Sequence, residues 1–203
     1  MTIYTYKDDL PNDINFEKSV AIDTETLGLN LNRDRLCLIQ FSSGDGNAHL
    51  VQISKKIKNC KNIVNLLQNK NIEKIFHFAR FDMAILQRDI SVINGDIFCT
   101  KIASKLCRTY TNKHGLLDLC AEFLNIEISK QQQSSNWAKE TLSDSQKEYA
   151  ANDVLYLHQI KQNLLIMLKE NKREEIASEC FQFLKTRINL DLIGFNNIDI
   201  FQH

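Results

Sequence analysis

A chain of 203 residues with 43% hydrophobic and 25% charged residues has the make-up of one ordinary globular domain and excludes a disordered or fibrous chain. Lys+Arg and Asp+Glu balance at 25 each, which argues against coating long nucleic acid through a broad basic face, although a local basic or metal-filled cleft stays open. No apolar run approaches the roughly 20 residues of a membrane span and residues 1–18 carry no apolar leader, so the expected location is the cytoplasm, with no membrane partner.

Val20-Ala21-Ile22, residues 36–42 and residues 48–53 read as short strands, with Ser43-Gly44-Asp45-Gly46-Asn47 as a turn, so an antiparallel meander opens the domain. Over residues 55–67 the apolar positions Ile57, Cys60, Ile63, Val64 and Leu67 recur at helical spacing, and Lys74-Ile75-Phe76-His77 reads as a buried strand. Residues 79–88 form a second helical pattern, Ile97-Phe98 a short strand, and residues 100–106 a helix with Thr100 as its cap. This alternation predicts an α/β fold with a mixed sheet flanked by helices.

Residues 116–124 read as an amphipathic helix, and the polar stretch 129–136 as a loop ending at Trp137. Ser143 with Gln146 is a capping box, predicting one long helix through Tyr149, Val154, Leu157, Ile160, Leu164 and Leu168. A last helix is expected over 173–187. The tail 191–203 holds Leu192, Ile193, Phe195, Ile198, Ile200 and Phe201, too apolar for a free terminus, and it packs on its own domain or on another subunit. Cys37, Cys60, Cys99, Cys107, Cys120 and Cys180 lack zinc-site spacing and are read as free, buried thiols. With no repeat and only Pro11 as proline, the expectation is a single domain over 1–203, its catalytic core about 20–165 and its C-terminal helix and tail 173–203.

Chemistry concentrates in three places. Asp23 and Glu25 alternate to one face of a strand, where two carboxylates repel unless a divalent cation neutralises them. In His77-Phe78-Ala79-Arg80-Phe81-Asp82 a strand gives way to a helix, which sets Asp82 in the first helical turn, where α/β sites gather. Tyr149 and Asp153, four apart, share a helical face. Each signal alone has an ordinary structural explanation; their conjunction is what is informative.

In order and interval, Asp23, Glu25, Asp82, Tyr149 and Asp153 resemble the three exonuclease motifs of the tyrosine-bearing (DEDDy) branch of the DEDD superfamily. Asp23-Thr24-Glu25-Thr26-Leu27-Gly28-Leu29 and Tyr149-Ala150-Ala151-Asn152-Asp153-Val154 are similar to RNase D. The second motif, Cys99-Thr100-Lys101-Ile102-Ala103-Ser104, residues 131–137 and residues 199–203 are most similar to the nano-RNase C (NrnC) group. Asn136 departs from that group, which has Asp before this tryptophan, and Phe78 departs from RNase D, which has Asn after the motif's histidine.

The resemblance implies an RNase H-like (DnaQ-like) exonuclease fold and a 3'-5' exoribonuclease hydrolysing short oligoribonucleotides, down to dinucleotides, to nucleoside 5'-monophosphates. It implies two divalent metal ions, Mg²⁺ or Mn²⁺, held by Asp23, Glu25, Asp82 and Asp153, with Tyr149 positioning the attacking water. The implied partner is short single-stranded RNA, and the implied assembly is a homo-oligomer, a ring-like octamer in the form this group suggests. Substrate contacts are expected from Leu27 as a wedge between bases or a core leucine, His77 as a donor to phosphate, Trp137 as a stacking surface or a packing anchor, and Arg80 as a phosphate contact, with Arg33 and Arg35 beside it. The alternatives are a general RNase D-like exonuclease on longer or structured RNA ends or single-stranded DNA, and a non-catalytic nucleic-acid-binding protein.

Overall fold

A computed structural model describes residues 1–55 and 59–202. Its strands are β1 Thr2–Lys7, β2 Ser19–Thr26, β3 Leu36–Ser42, β4 Asn47–Gln52, β5 Glu73–Phe76 and β6 Ile97–Cys99. They form one six-stranded sheet in the order β1-β4-β3-β2-β5-β6. The β2–β3 and β3–β4 pairs are antiparallel, the meander expected from the turn cluster, whereas β1–β4, β2–β5 and β5–β6 are parallel. All seven residues of β3 are buried, as a central strand covered on both faces requires.

Among the described residues seven helices surround this sheet: α1 Lys61–Gln68, α2 Ala79–Asp89, α3 Thr100–Cys107, α4 Leu116–Leu124, α5 Asp144–Leu155, α6 Leu157–Glu170 and α7 Glu174–Leu190. The main core joins Ile22, Ile39 and Phe41 of the sheet to Met83, Ile85, Ile160 and Leu164 of the helices. A second, smaller cluster of Leu38, Leu50, Trp137, Leu142 and Ala150 lies on the opposite face under α5. Facing residues of an antiparallel pair point to the same side. Glu25 faces Leu38 and Asp23 faces Gln40, so both acids project onto the α5 side, and Thr24 projects onto the other.

The structure departs from the sequence reading in five places. Strand β1, with only half-buried and exposed residues, was not expected; as an edge strand it is held by its backbone pairing to β4. The helix expected over 55–67 is seen from Lys61 onward, and residues 56–58 of that stretch lie outside the described residues, as does His203. Thr100 lies inside α3, and the capping position is Cys99. The single long helix after Ser143 is two, hinged at Tyr156 with φ −100 and ψ −6. The last helix continues to Leu190 and runs into a π-helical turn, Asp191–Phe195, interrupted at Gly194 with φ 104. All six cysteines are free thiols. Among the described residues no helix is long and apolar enough to cross a membrane.

Candidate active site

Because β2 and β5 run parallel, their C-terminal ends lie together, and the turn after β5 delivers the first turn of α2 beside the end of β2. Asp23 and Glu25 come from β2, Asp82 from α2, and Tyr149 and Asp153 from α5, whose Ser143–Gln146 capping box fixes where that helix starts. Asp23, Glu25 and Asp153 each bring a carboxylate oxygen within 4.8 Å of the others. Asp82, only 4% exposed, is held from behind by Thr24, whose Oγ1 donates to Asp82 Oδ1 at 2.7 Å. Thr24 is a functional neighbour that the sequence reading passed over; its place between two acids on a strand was the available signal.

This packing is electrostatically costly for bare anions. Burial first, then the carboxylates of Asp82, Asp153 and Glu25, push Asp23 well above the usual carboxylate range. Burial and the charges of Asp153 and Asp82 push Glu25 to about 9. Burial raises Asp82 to about 7 against the pull of the Thr24 hydrogen bond. Asp153 also rises to about 7 through burial and Asp82, partly offset by a hydrogen bond from Tyr149. Converging hard oxygen donors that disfavour their own ionisation fit a divalent cation such as Mg²⁺ or Mn²⁺.

Tyr149 stands over this cluster with its ring against Trp137, centroids 5.9 Å apart and planes at 39°. Burial and the surrounding carboxylates push its phenol further up from the ordinary value; the hydroxyl keeps its proton and serves as a donor. Trp137 is 2% exposed within the small cluster under α5. The expected stacking surface is therefore corrected to the packing-anchor alternative: the indole supports Tyr149 and offers no open face to a base.

The remaining expected contacts divide. Leu27, just past β2, is 51% exposed, which removes the core-leucine alternative and leaves its side chain free to meet a ligand. His77 Nδ1 lies 2.9 Å from Thr100 Oγ1, and that hydroxyl donates its one proton to the Phe76 carbonyl at 3.1 Å. The network therefore puts the imidazole proton on Nδ1, donating to Thr100. Burial, helped by Lys101, lowers His77 to about 3, so the ring is neutral and Nε2 is an acceptor. Arg80 is likewise engaged elsewhere: its Nε donates to Asp191 Oδ2 at 2.6 Å and its Nη2 to Asp191 Oδ1 and the Asn196 carbonyl, each at 2.8 Å. It ties down the chain after α7 rather than facing a phosphate. Arg33 pairs with Asp34, and Arg35 donates to the Leu36 and Ile53 carbonyls.

Residues 3–169 match the protein-family model described as 3'-5' exonuclease. The ribonuclease D of Bartonella henselae is 32% identical over 154 residues, which cover 76% of this chain and 37% of that protein. The chain spans less than half the length of the curated ribonuclease D relatives it matches. Among solved structures, Brucella melitensis NrnC with bound Mg²⁺ superposes with a TM-score of 0.95 at 52% identity, covering 100% of both chains. The same protein bound to pGG superposes with a TM-score of 0.96 at 53% identity, covering 100% of this chain and 99% of that one. The sheet and its helices are the RNase H-like (DnaQ-like) exonuclease fold.

Proposed function

The chain belongs to the 3'-5' exonuclease family, and from that membership we propose that residues 1–203 act as one metal-dependent 3'-5' exoribonuclease domain, cutting short oligoribonucleotides to nucleoside 5'-monophosphates. The observation that carries this reading is the convergence of Asp23, Glu25 and Asp153 within 4.8 Å, with Asp82 buried beside them. Two bound divalent cations would supply the acidified water and the charge stabilisation that phosphodiester hydrolysis demands. Asp23, Glu25, Asp82 and Asp153 would hold them. Tyr149, protonated and braced by Trp137, orients the attacking water by hydrogen bonding, and Asp153 beside it fixes that phenol in turn. Leu27 projects past the acids as an apolar wedge against the terminal bases.

Short RNA is favoured over long strands by the balanced charge of 25 basic and 25 acidic residues, since few phosphates need neutralising, and by the pGG-bound relative at 53% identity. The cytoplasm, where such fragments arise, is the proposed compartment and suits six free cysteines. The chain assembles as a homo-oligomer, with an octameric ring the proposed form. Ile193, Ile198, Ile200 and Phe201 are 46–73% exposed, an apolar tail that another copy can cover.

The second reading, a general exonuclease on longer RNA ends, draws on the likeness to ribonuclease D. Products from 5'-labelled RNAs of two, five and twenty nucleotides, with Mg²⁺, Mn²⁺ or EDTA, separate the two. Fastest cleavage of the two-mer supports the short-RNA reading, and preference for the twenty-mer moves it to the second. Asp23→Asn removes metal-binding charge at nearly constant volume; metal-dependent turnover surviving in that variant rejects the site. Light scattering on a variant with Ile198, Ile200 and Phe201 changed to Ser tests the assembly, and an unchanged mass removes the tail from it.

A further inference from the structure

We propose that Phe78 is a stacking platform for a nucleobase of the substrate. The proposal rests on the exonuclease reading above and adds a specificity-determining residue to that site. Phe78 bears two costs. Its backbone has φ 74 and ψ 45, the left-handed region in which a side chain's Cβ crowds the following carbonyl and in which a bulky residue is an outlier. Its ring is 47% exposed, although Ala79 after it and Phe76 two residues before it are fully buried. Left-handed geometry at a non-glycine residue collects at functional sites, where the surroundings hold it in place.

Position supplies the use. Phe78 is the N-cap of α2, so its side chain leaves the chain immediately before the helical turn that carries Asp82 and immediately after His77. Lys101 Nζ lies over the ring, 4.4 Å from its centroid, so a cation covers one face of the apolar plane and a base has the other face to stack on. The ring also walls a cavity of about 470 Å³ shared with Cys99, Ile102, Cys180 and Phe183, within the size range of small-ligand pockets. Its lining is mostly apolar and comes from the start of α2, from α3 and from α7. Trp137, the aromatic that composition draws attention to, is buried and cannot take this part.

The test compares intact dinucleotides with analogues that lack one base. Phe78→Leu should raise KM for an intact purine dinucleotide roughly five- to hundredfold, with kcat within a few-fold, and Phe78→Trp should restore it. On the analogue missing the stacked base, wild type and Phe78→Leu should have the same KM. Phe78→Asn, which tolerates the left-handed backbone, should raise the melting temperature and still raise KM. Equal losses on intact and base-lacking substrates, or an unchanged KM, overturn the proposal. A change of assembly mass without base dependence also overturns it and makes the ring a subunit contact. If wild type cleaves no RNA, the exonuclease reading fails by itself; calorimetric binding of dinucleotide to wild type and Phe78→Leu then decides the stacking separately.

Discussion

Thr24 Oγ1 donates a 2.7 Å hydrogen bond to Asp82 Oδ1, joining the strand that carries two of the acids to the helix that carries a third. Both residues are under a tenth exposed. Thr24 points to the face of the sheet opposite Asp23 and Glu25, so the bond holds α2 against the back of the strand and fixes Asp82 relative to the other carboxylates.

Thr24→Val keeps the shape and removes the hydroxyl. A buried carboxylate without its donor costs about 1–3 kcal/mol, and the loss should be larger at pH 9, where Asp82 is ionised, than at pH 5. Denaturant melts at the two pH values check this. The Mn²⁺ affinity of the variant should fall as well. Equal losses at both pH values, with affinity intact, would separate Thr24 from the carboxylate.

Without divalent cation the acid cluster should make the protein less stable as pH rises. Asp82 and Asp153 are raised to about 7 and Glu25 to about 9, above the ordinary carboxyl values near ~4 that hold in the unfolded chain. The folded state therefore binds more protons, and the cluster's contribution is full below about pH 4 and lost as pH climbs through about 7 and then about 9. Metal binding requires the deprotonated groups, so with Mn²⁺ or Mg²⁺ stabilisation should grow over the same interval. Melting temperatures between pH 5 and pH 9, in EDTA and in Mn²⁺, should diverge. Parallel curves would show that these carboxylates bind no cation.

The Trp137–Tyr149 contact makes an indole part of the catalytic geometry without touching substrate. Tyr149→Phe should lower kcat by about 10²-fold through loss of orientation and leave the fold intact. Trp137→Phe should keep the small cluster packed but let the phenol wander, lowering kcat with little change in KM, whereas Trp137→Ala should cost about 3–5 kcal/mol of stability. A raised KM with unchanged kcat in Trp137→Phe would instead give the indole a substrate contact.

The acids were legible because each signal is local. Strand alternation pairs Asp23 with Glu25, helical periodicity pairs Tyr149 with Asp153, and a strand-to-helix change places Asp82. What escaped depends on distant partners. β1 has no buried face to produce a pattern and is held by parallel pairing to β4, some 45 positions away. No Pro or Gly marks the break at Tyr156, where φ is −100 and ψ −6. Arg80 reads as a free cation until Asp191, 111 positions later, folds back onto it, and the Thr100 hydroxyl that engages His77 Nδ1 lies 23 positions further along the chain.

Asp191 is the anchor that most tightly ties the C-terminal segment to the catalytic domain. It is 2% exposed and accepts from Arg80 at 2.6 and 2.8 Å and from Arg187 at 2.8 and 3.1 Å. Two guanidiniums thus share one buried carboxylate. Asp191→Asn leaves them facing each other without it, and because the Arg80 side chain is 37% exposed the loss is about 1–3 kcal/mol. The loss should be local: amide exchange should quicken over 191–202 while α2 keeps its protection. Arg80→Gln should show the same fraying, yet leave the salt dependence of KM for short RNA as it is in wild type, because this guanidinium spends its hydrogen bonds on Asp191 and Asn196. A shallower salt slope in Arg80→Gln would return Arg80 to the phosphate-binding role expected from its place in the motif.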